Sequence, residues 1–307
     1  MLIWHHGAML GLNIIGCGKV GRVLGRLWSE AGLCAVESVC NRSLESASEA
    51  VEFMGAGGAV ADIGEMSRAP VWMIAASDRA LAQIWTELIE SGCLRPGDIV
   101  FHCSGAVASS VLLEPAAAVP VSVGSLHPVK TFPVAEDAVT SFAGTWCALE
   151  GDPGALAWMT EAVRRIEGAP FTIDARDKVL YHAALVMVCN NLTALIGAGL
   201  DLLDRAGVDA DRGTRIVAPI VRETLENALR LGPVDSLTGP VVRGEEAVIE
   251  AQLRRLETLD PFQAELYRVL GRQALKLASA RHDGFDGPRG RIKDLLDSPD
   301  AIDADSS

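Results

Sequence analysis

The cysteines of this chain have no pairing pattern. Cys17, Cys34, Cys40, Cys93, Cys103, Cys147 and Cys189 make an odd set of seven, with no CxxC among them. That excludes a disulfide scaffold or a zinc ribbon and leaves free thiols in a reducing compartment, most of them in apolar runs where a thiol packs as a small hydrophobe. An unbroken apolar run of 18 residues is also missing, so no transmembrane helix is expected. The opening MLIWHHGA has neither the basic start nor the apolar stretch of a signal peptide, which points to the cytoplasm. The pair His5-His6 is given no function. Positive charge is scarce: Lys and Arg number 27 against 40 acids, a net charge of -13. Nucleic acid and an anionic membrane surface would both be repelled, whereas a small anionic substrate can be held by a few local cations. No internal repeat is present, and no segment has the spacing of a serine triad, a Walker loop or a metal site.

What is present has room for two globular domains. Of the 307 residues, 49% are hydrophobic and 22% charged, which excludes a disordered chain. From Leu10 to Ile173, short apolar runs alternate with helical segments. GLNIIG, AVESVCN, VWMIAAS, DIVFHCSG, VPVSVGSLHP and TWCALEG read as strands. KVGRVLGRLWSEAG, SLESASEAVEFMG and the segment 78–91 read as helices. Such alternation predicts an α/β domain over 10–174, a doubly wound Rossmann sheet with helices on both faces. After Asp174 apolar residues recur at helical spacing, which predicts an all-α domain over 175–281 for substrate binding and dimerisation. Its first run, KVLYHAALVMVCNNLTALIGAGLDLLDRAG, reads as one long helix buried on most of its circumference. Shorter helices are expected around 211–231, 238–256 and 261–280. Residues 282–307, rich in Asp, Gly, Pro and Ser, read as a flexible tail.

Gly16-Cys17-Gly18-Lys19-Val20-Gly21 is a GxGxxG between the first strand and the first helix, the context a dinucleotide site requires. Gly16 permits a tight turn, Gly18 a close backbone approach to a pyrophosphate, and Gly21 close helix–strand packing. The second strand ends in Asn41-Arg42-Ser43, with no acid to repel a 2′-phosphate. Arg42 can pair with that phosphate while Asn41 and Ser43 donate hydrogen bonds, so NADP(H) is expected over NAD. Asn41 and Ser43 can equally cap the next helix. Ala76, Ser77 and Asp78, with Ser104-Gly105, end later strands where the ligand crevice of such sheets lies, and small residues there would admit the nicotinamide ribose. Asp78 can alternatively be only a helix cap.

Lys178 and His182 are four apart at the start of the long helix and share one face; Asn190 lies two turns on. A Lys ammonium there can protonate or polarise a carbonyl as hydride arrives, and His182 can hold the same oxygen or a carboxylate. Otherwise Lys178 snorkels at the domain edge and His182 is a core histidine with a backbone partner. His127, in Gly124-Ser125-Leu126-His127-Pro128, is a second proton-donor candidate or a structural turn residue, with Ser125 beside it. Arg243 can grip a substrate carboxylate, with Thr238 in the same segment, or be an ordinary surface arginine.

In GCGKVG, GSLHPVKTF, KVLYHAALVMVCNN and LTGPVVRG the chain resembles bacterial Rossmann-like proteins with a helical C-terminal domain of unknown function. These belong to the 6-phosphogluconate-dehydrogenase-like superfamily, beside ketopantoate reductases, pyrroline-5-carboxylate reductases and 3-hydroxyisobutyrate dehydrogenases. The resemblance covers residues 12 to about 281. It implies a catalytic Lys at Lys178, with His182 where hydroxyacid dehydrogenases have Asn, an Asn partner at Asn190 as in ketopantoate reductases, and a His-Pro loop at His127 like that of prephenate dehydrogenases. It also implies NADP use at Asn41-Arg42-Ser43 and a homodimer formed through the helical domain. The function this points to is reduction of a small 2-oxo acid, ketopantoate first. The alternatives are an imine or prephenate-type substrate, and a non-catalytic NADP-binding regulator.

Overall fold

The computed structural model describes residues 9–113, 119–281 and 289–297. Residues 1–8, with His5-His6, lie outside them. The chain divides into two units, 1–188 and 189–307. The division falls after the first turns of the long helix and not at 174, because Lys178 ties that helix into the sheet of the first unit.

The first unit is built on eight strands: β1 (Leu10–Ile15), β2 (Cys34–Cys40), β3 (Gly58–Val60), β4 (Val71–Ile74), β5 (Ile99–His102), β6 (Ser122–Pro128), β7 (Trp146–Gly151) and β8 (Ala169–Thr172). They lie side by side in the order β3-β2-β1-β4-β5-β6-β7-β8. The expected all-parallel sheet holds except at one seam, where β7 runs antiparallel to β6. Among the described residues six helices accompany the strands: α1 (Lys19–Glu30), α2 (Leu44–Met54), α3 (Leu81–Glu90), α4 (Ala135–Thr140), α5 (Pro153–Arg165) and α6 (Lys178–Val188). Alternate strand residues enter opposite cores. Val71, Met73 and Phe101 join Trp28 and Trp158 on one face, while Trp72, Ile74 and Val100 join Trp85 and Leu112 on the other. Covering both faces is what makes β4 and β5 buried at every position. The chain order reverses between β1 and β4, so a crevice opens beyond their carboxyl ends.

The second unit is helical: α7 (Asn190–Arg205), α8 (Ala210–Leu231), α9 (Pro233–Ser236), α10 (Pro240–Arg243), α11 (Glu246–Leu259), α12 (Pro261–Ser279) and α13 (Arg289–Asp297). Two expectations are corrected here. The tail reading is wrong over α13, where Ile292, Leu295 and Leu296 are buried with Ile249 and Leu253; the rest of 282–307 lies outside the described residues. The apolar triplet has helical spacing, and Gly271 leaves room for it, since a Cβ there would sit 2.6 Å from a Leu296 methyl.

The long helix is also not one buried rod. It breaks at Cys189, whose φ/ψ of -114/-66 separates α6 from α7. Val179, Leu180, Met187 and Val188 on α6 are exposed. By length and composition alone the stretch Ala175–Arg205 could cross a membrane, and none of its apolar window is buried. Apolar periodicity reports that a face wants cover; it does not say what covers it.

Leu296→Ala is expected to destabilise the second unit by about 2–4 kcal/mol, the usual cost of a buried Leu truncation, read as a lower urea midpoint. An unchanged midpoint would mean that α13 is not docked.

Candidate active site

Two sites lie at the carboxyl edge of the sheet. The first is the glycine turn after β1. Gly16 has φ +75, and a Cβ on it would lie 2.6 Å from the Ala76 methyl and 2.8 Å from its Cα, so only glycine fits. Gly18 caps α1 with no side chain bonded to the helix end, and a Cβ on Gly21 would lie 2.9 Å from Ala75 Cβ. The first turn of α1 holds no acid. Backbone N–H groups and the positive helix end therefore face outward, ready for an anion. A cavity of about 640 Å³ lies over this turn, lined by Gly16, Gly18, Ala76, Ser77, Arg42 and Arg79 among others. Arg42 and Arg79 are exposed, and neither guanidinium has a hydrogen bond or ion pair among the described residues.

Several residues expected to touch a cofactor build the cradle around the turn, Ser43 by the helix-capping alternative read for it. The Asn41 carboxamide accepts from the Cys17 N–H at 2.5 Å and donates to the Ser46 carbonyl at 2.9 Å, latching the glycine turn to α2. Ser43 caps α2 by accepting from the Ser46 N–H at 3.2 Å. The Lys19 ammonium donates to the Pro133 carbonyl at 2.6 Å, and Val20 packs against the core. Ser104 is buried, its hydroxyl accepting from the N–H groups of Ala106 and Val107. Asp78 is exposed at the start of a short 3-10 turn that lacks a side-chain cap.

The second site is a polar cluster on β6, β7 and α6. Ser125 and Glu150 face each other across the antiparallel seam. Lys178 reaches both: its ammonium donates to the Ser125 hydroxyl and lies 3.1 Å from Glu150 Oε1. The Ser109 N–H and hydroxyl donate to the two Glu150 oxygens at 2.8 and 2.6 Å. The side chains of Lys178 and Glu150 are 1% and 3% exposed. Burial pulls the Lys178 ammonium below its ordinary pKa, with Glu150 opposing. The Lys178 ammonium thus faces a carboxylate in the protein interior.

The half-exposed groups come one turn later. Tyr181 Oη lies 2.9 Å from His127 Nδ1. His182 meets the His127 ring edge-on at a centroid distance of 5.8 Å. Gly105 admits both imidazoles, since a Cβ there would lie 2.8 Å from His127 Nε2. Burial first, then the neighbouring His182 and Lys178, push the His127 pKa down to about 4. Burial raises Tyr181 to about 12. At neutral pH the phenol is therefore protonated and the imidazole neutral, and a phenol donating to Nδ1 leaves the imidazole proton on Nε2, beside Gly105. Phe171 and then Trp146 continue the aromatic contacts from Tyr181 to the surface.

Asn190, Thr238 and Arg243 belong to the second unit and are exposed there. The fork of Arg243 is already filled by the Glu245 carboxylate, at 2.8 and 2.9 Å, which corrects its reading as an open carboxylate receptor. Glu150, Ser109 and Tyr181 were missed from sequence. Two had a signal: Tyr181 is three residues after Lys178 on the same helix face, and Glu150 is a lone acid in an apolar strand, costly unless paired.

Residues 5–128 match the model of a Rossmann-like domain, and residues 145–274 match a domain of unknown function, DUF2520. The chain joins a Rossmann-like domain to a DUF2520 domain. Ser125 and His127 come from the Rossmann-like segment, Glu150, Lys178, Tyr181 and His182 from the DUF2520 segment, so the cluster is made where the two meet on one sheet. No curated protein matches the chain in sequence. Solved structures share its fold. A candidate NADP oxidoreductase of Bacteroides fragilis is 22% identical, covers 87% of this chain and 98% of its own, and has a TM-score of 0.72. Thermotoga maritima protein TM1727 is 24% identical over 86% and 98%, with a TM-score of 0.66. The Aspergillus terreus reductive aminase, in complex with NADPH and ethyl-5-oxohexanoate, is 16% identical over 89% and 98%, with a TM-score of 0.63.

His102 is fully buried on β5, accepts from the Ser104 N–H and, like His127, has a pKa lowered to about 4, chiefly by burial. An unfolded chain protonates histidine near pH 6.5, so the native state falls behind in proton uptake between the two values. The stability these neutral rings allow is complete above about pH 6.5 and is lost as pH falls towards 4. Histidine resonances in labelled protein should accordingly show His102 and His127 unprotonated at pH 5; midpoints near 6.5 would contradict the buried cluster.

Proposed function

We propose that the chain is an NADP(H)-dependent oxidoreductase that moves hydride between the nicotinamide and a small C=O or C=N substrate. The observation that carries this reading is the crevice over the Gly16–Gly21 turn, with the unpaired Arg42 on its wall. The glycine cradle fits a diphosphate, because no Cβ or acid intrudes on the outward amides of α1. Arg42 suits a 2′-phosphate, with Arg79 on the same wall as further positive charge. When bound, the cofactor supplies the hydride. The likeness to a candidate NADP oxidoreductase and to a reductase holding NADPH supports the same reading.

The protein's part at the reacting centre is to hold and move one proton. His127 carries it at Nε2 at neutral pH, and as Nε2 gives that proton to the substrate, Nδ1 can take the phenol proton of Tyr181, which water then restores. Reduction of a carbonyl needs that proton at oxygen, and reduction of an imine needs it at nitrogen. The two substrate classes are equally well supported. Ketopantoate in particular has no support in the site, since Arg243 is engaged by Glu245 and Lys178 by Glu150. The homodimer implied by the resemblance also fits: the exposed apolar residues of α6 and α8, Leu180, Met187, Ile216 and Ile220 among them, would be covered by a second copy. Light scattering should then give twice the 32.4 kDa chain mass, and a monomer would remove that part of the reading.

Arg42→Ala is expected to weaken NADP(H) about 10- to 100-fold, the worth of a charge-assisted bidentate contact, while leaving the weaker NAD(H) binding nearly unchanged. Equal losses for both dinucleotides would overturn the assignment of Arg42. Screening with NADPH against short oxo acids and cyclic imines should reveal turnover, and Tyr181→Phe should lower kcat by roughly 100-fold or more with the KM for NADPH retained. Tight NADPH binding with no turnover across the panel would favour the non-catalytic regulator.

A further inference from the structure

We propose that Lys178 is a positioning residue and not the proton donor: clamped between Ser125 and Glu150, it pins the first turn of α6 to the β6–β7 seam so that Tyr181 and His182 meet His127. The meaning of this for catalysis rests on the oxidoreductase reading; the clamp itself does not.

The geometry is a register argument. Ser125 and Glu150 are directly opposite across the seam, and His127 is two residues from Ser125 on the same strand. Residues i and i+2 of a strand share a face, so the Lys178 anchor and His127 stand side by side on β6. On α6, Tyr181 and His182 are three and four residues after Lys178 and share its face. Fixing Lys178 on Ser125 therefore lays the next helical turn over His127. The hydrogen bond from Tyr181 and the edge-on contact from His182 are the result.

The clamp grips at two points. The ammonium has three protons; one goes to the Ser125 hydroxyl and one to Glu150. Glu150 is held from behind by the N–H and hydroxyl of Ser109. A buried carboxylate with this many donors has no reason to release the ammonium, and separating the two would leave an unpaired charge in the interior. A group that hands a proton to substrate must reach it. Lys178, 1% exposed, does not, whereas Tyr181 and His182 are only partly buried.

The test uses the full-length protein without cofactor, labelled at histidine, and reads the 15Nδ1 shift and titration midpoint of His127. Tyr181→Phe defines the signature of a lost hydrogen bond. In Lys178→Met the His127 signals should move onto those of Tyr181→Phe, and in Lys178→Arg they should stay near wild type. If Lys178→Met does not fold, Ser125→Ala, which keeps the charge pair and removes one arm of the clamp, should give the same displacement in part. Wild-type His127 signals in a folded Lys178→Met or Ser125→Ala protein would overturn the proposal. NADPH titration separates this from the parent reading, because Lys178 does not line the nucleotide crevice: affinity should change less than about threefold in Lys178→Met. Where a turned-over substrate is available, rescue of Lys178→Ala by added primary amines would identify the ammonium as proton donor and would also overturn it.

Discussion

A buried ammonium is tolerable only beside a carboxylate that is itself well held, and the arrangement of this protein's polar cluster follows from that requirement. Lys178 enters the interior beside Glu150, and Glu150 is in turn held by the two donors of Ser109. Glu150 is available because β7 runs against the direction of its neighbour, which sets it opposite Ser125. The single antiparallel seam in an otherwise parallel sheet is thus the place where the helix entering the second half of the chain is fastened.

The same sheet edge carries both sites. The glycine turn opens at β1 and β4, where the strand order reverses, and the His127–Tyr181 pair stands at β6, two strands beyond β4. Between them β5 ends in His102, followed by the Ser104 turn and Gly105, whose missing side chain admits the two imidazoles. A dinucleotide laid along this edge from the Arg42 side would run towards the proton-carrying pair. The burial that makes the cluster costly also sets its chemistry: it keeps His127 neutral and Tyr181 protonated at physiological pH, the states a proton donor and its orienting partner require.

The glycine turn was legible in the sequence because its constraints are local. Gly16, Gly18 and Gly21 act within one strand–turn–helix, and their spacing carries the geometry. Strands β1, β2, β4, β5, β6 and β7 and the helices α8 and α12 followed from periodicity in the same way, whereas the short β3 and β8 and the order of the strands did not. The Lys178–Glu150 pair was not legible, since its members are 28 residues apart and meet only through the register of β6 with β7. Ser43 takes the capping role that was legible beside its cofactor reading, whereas the Asn41 bond to the Cys17 amide and the pairing of Arg243 with Glu245 two residues on were not read. α13 was hidden by composition, though Ile292, Leu295 and Leu296 carried its spacing. The long helix misled because hydropathy fixes which residues seek cover and leaves the cover unnamed.

Hydrogen–deuterium exchange of the full chain with and without NADPH tests the dinucleotide assignment most directly. Protection on adding NADPH should concentrate at the amides of residues 16–22, 41–46 and 75–80, the glycine turn and the two segments that flank its crevice. No protection at millimolar NADPH, or protection confined to segments away from that turn, would contradict the assignment.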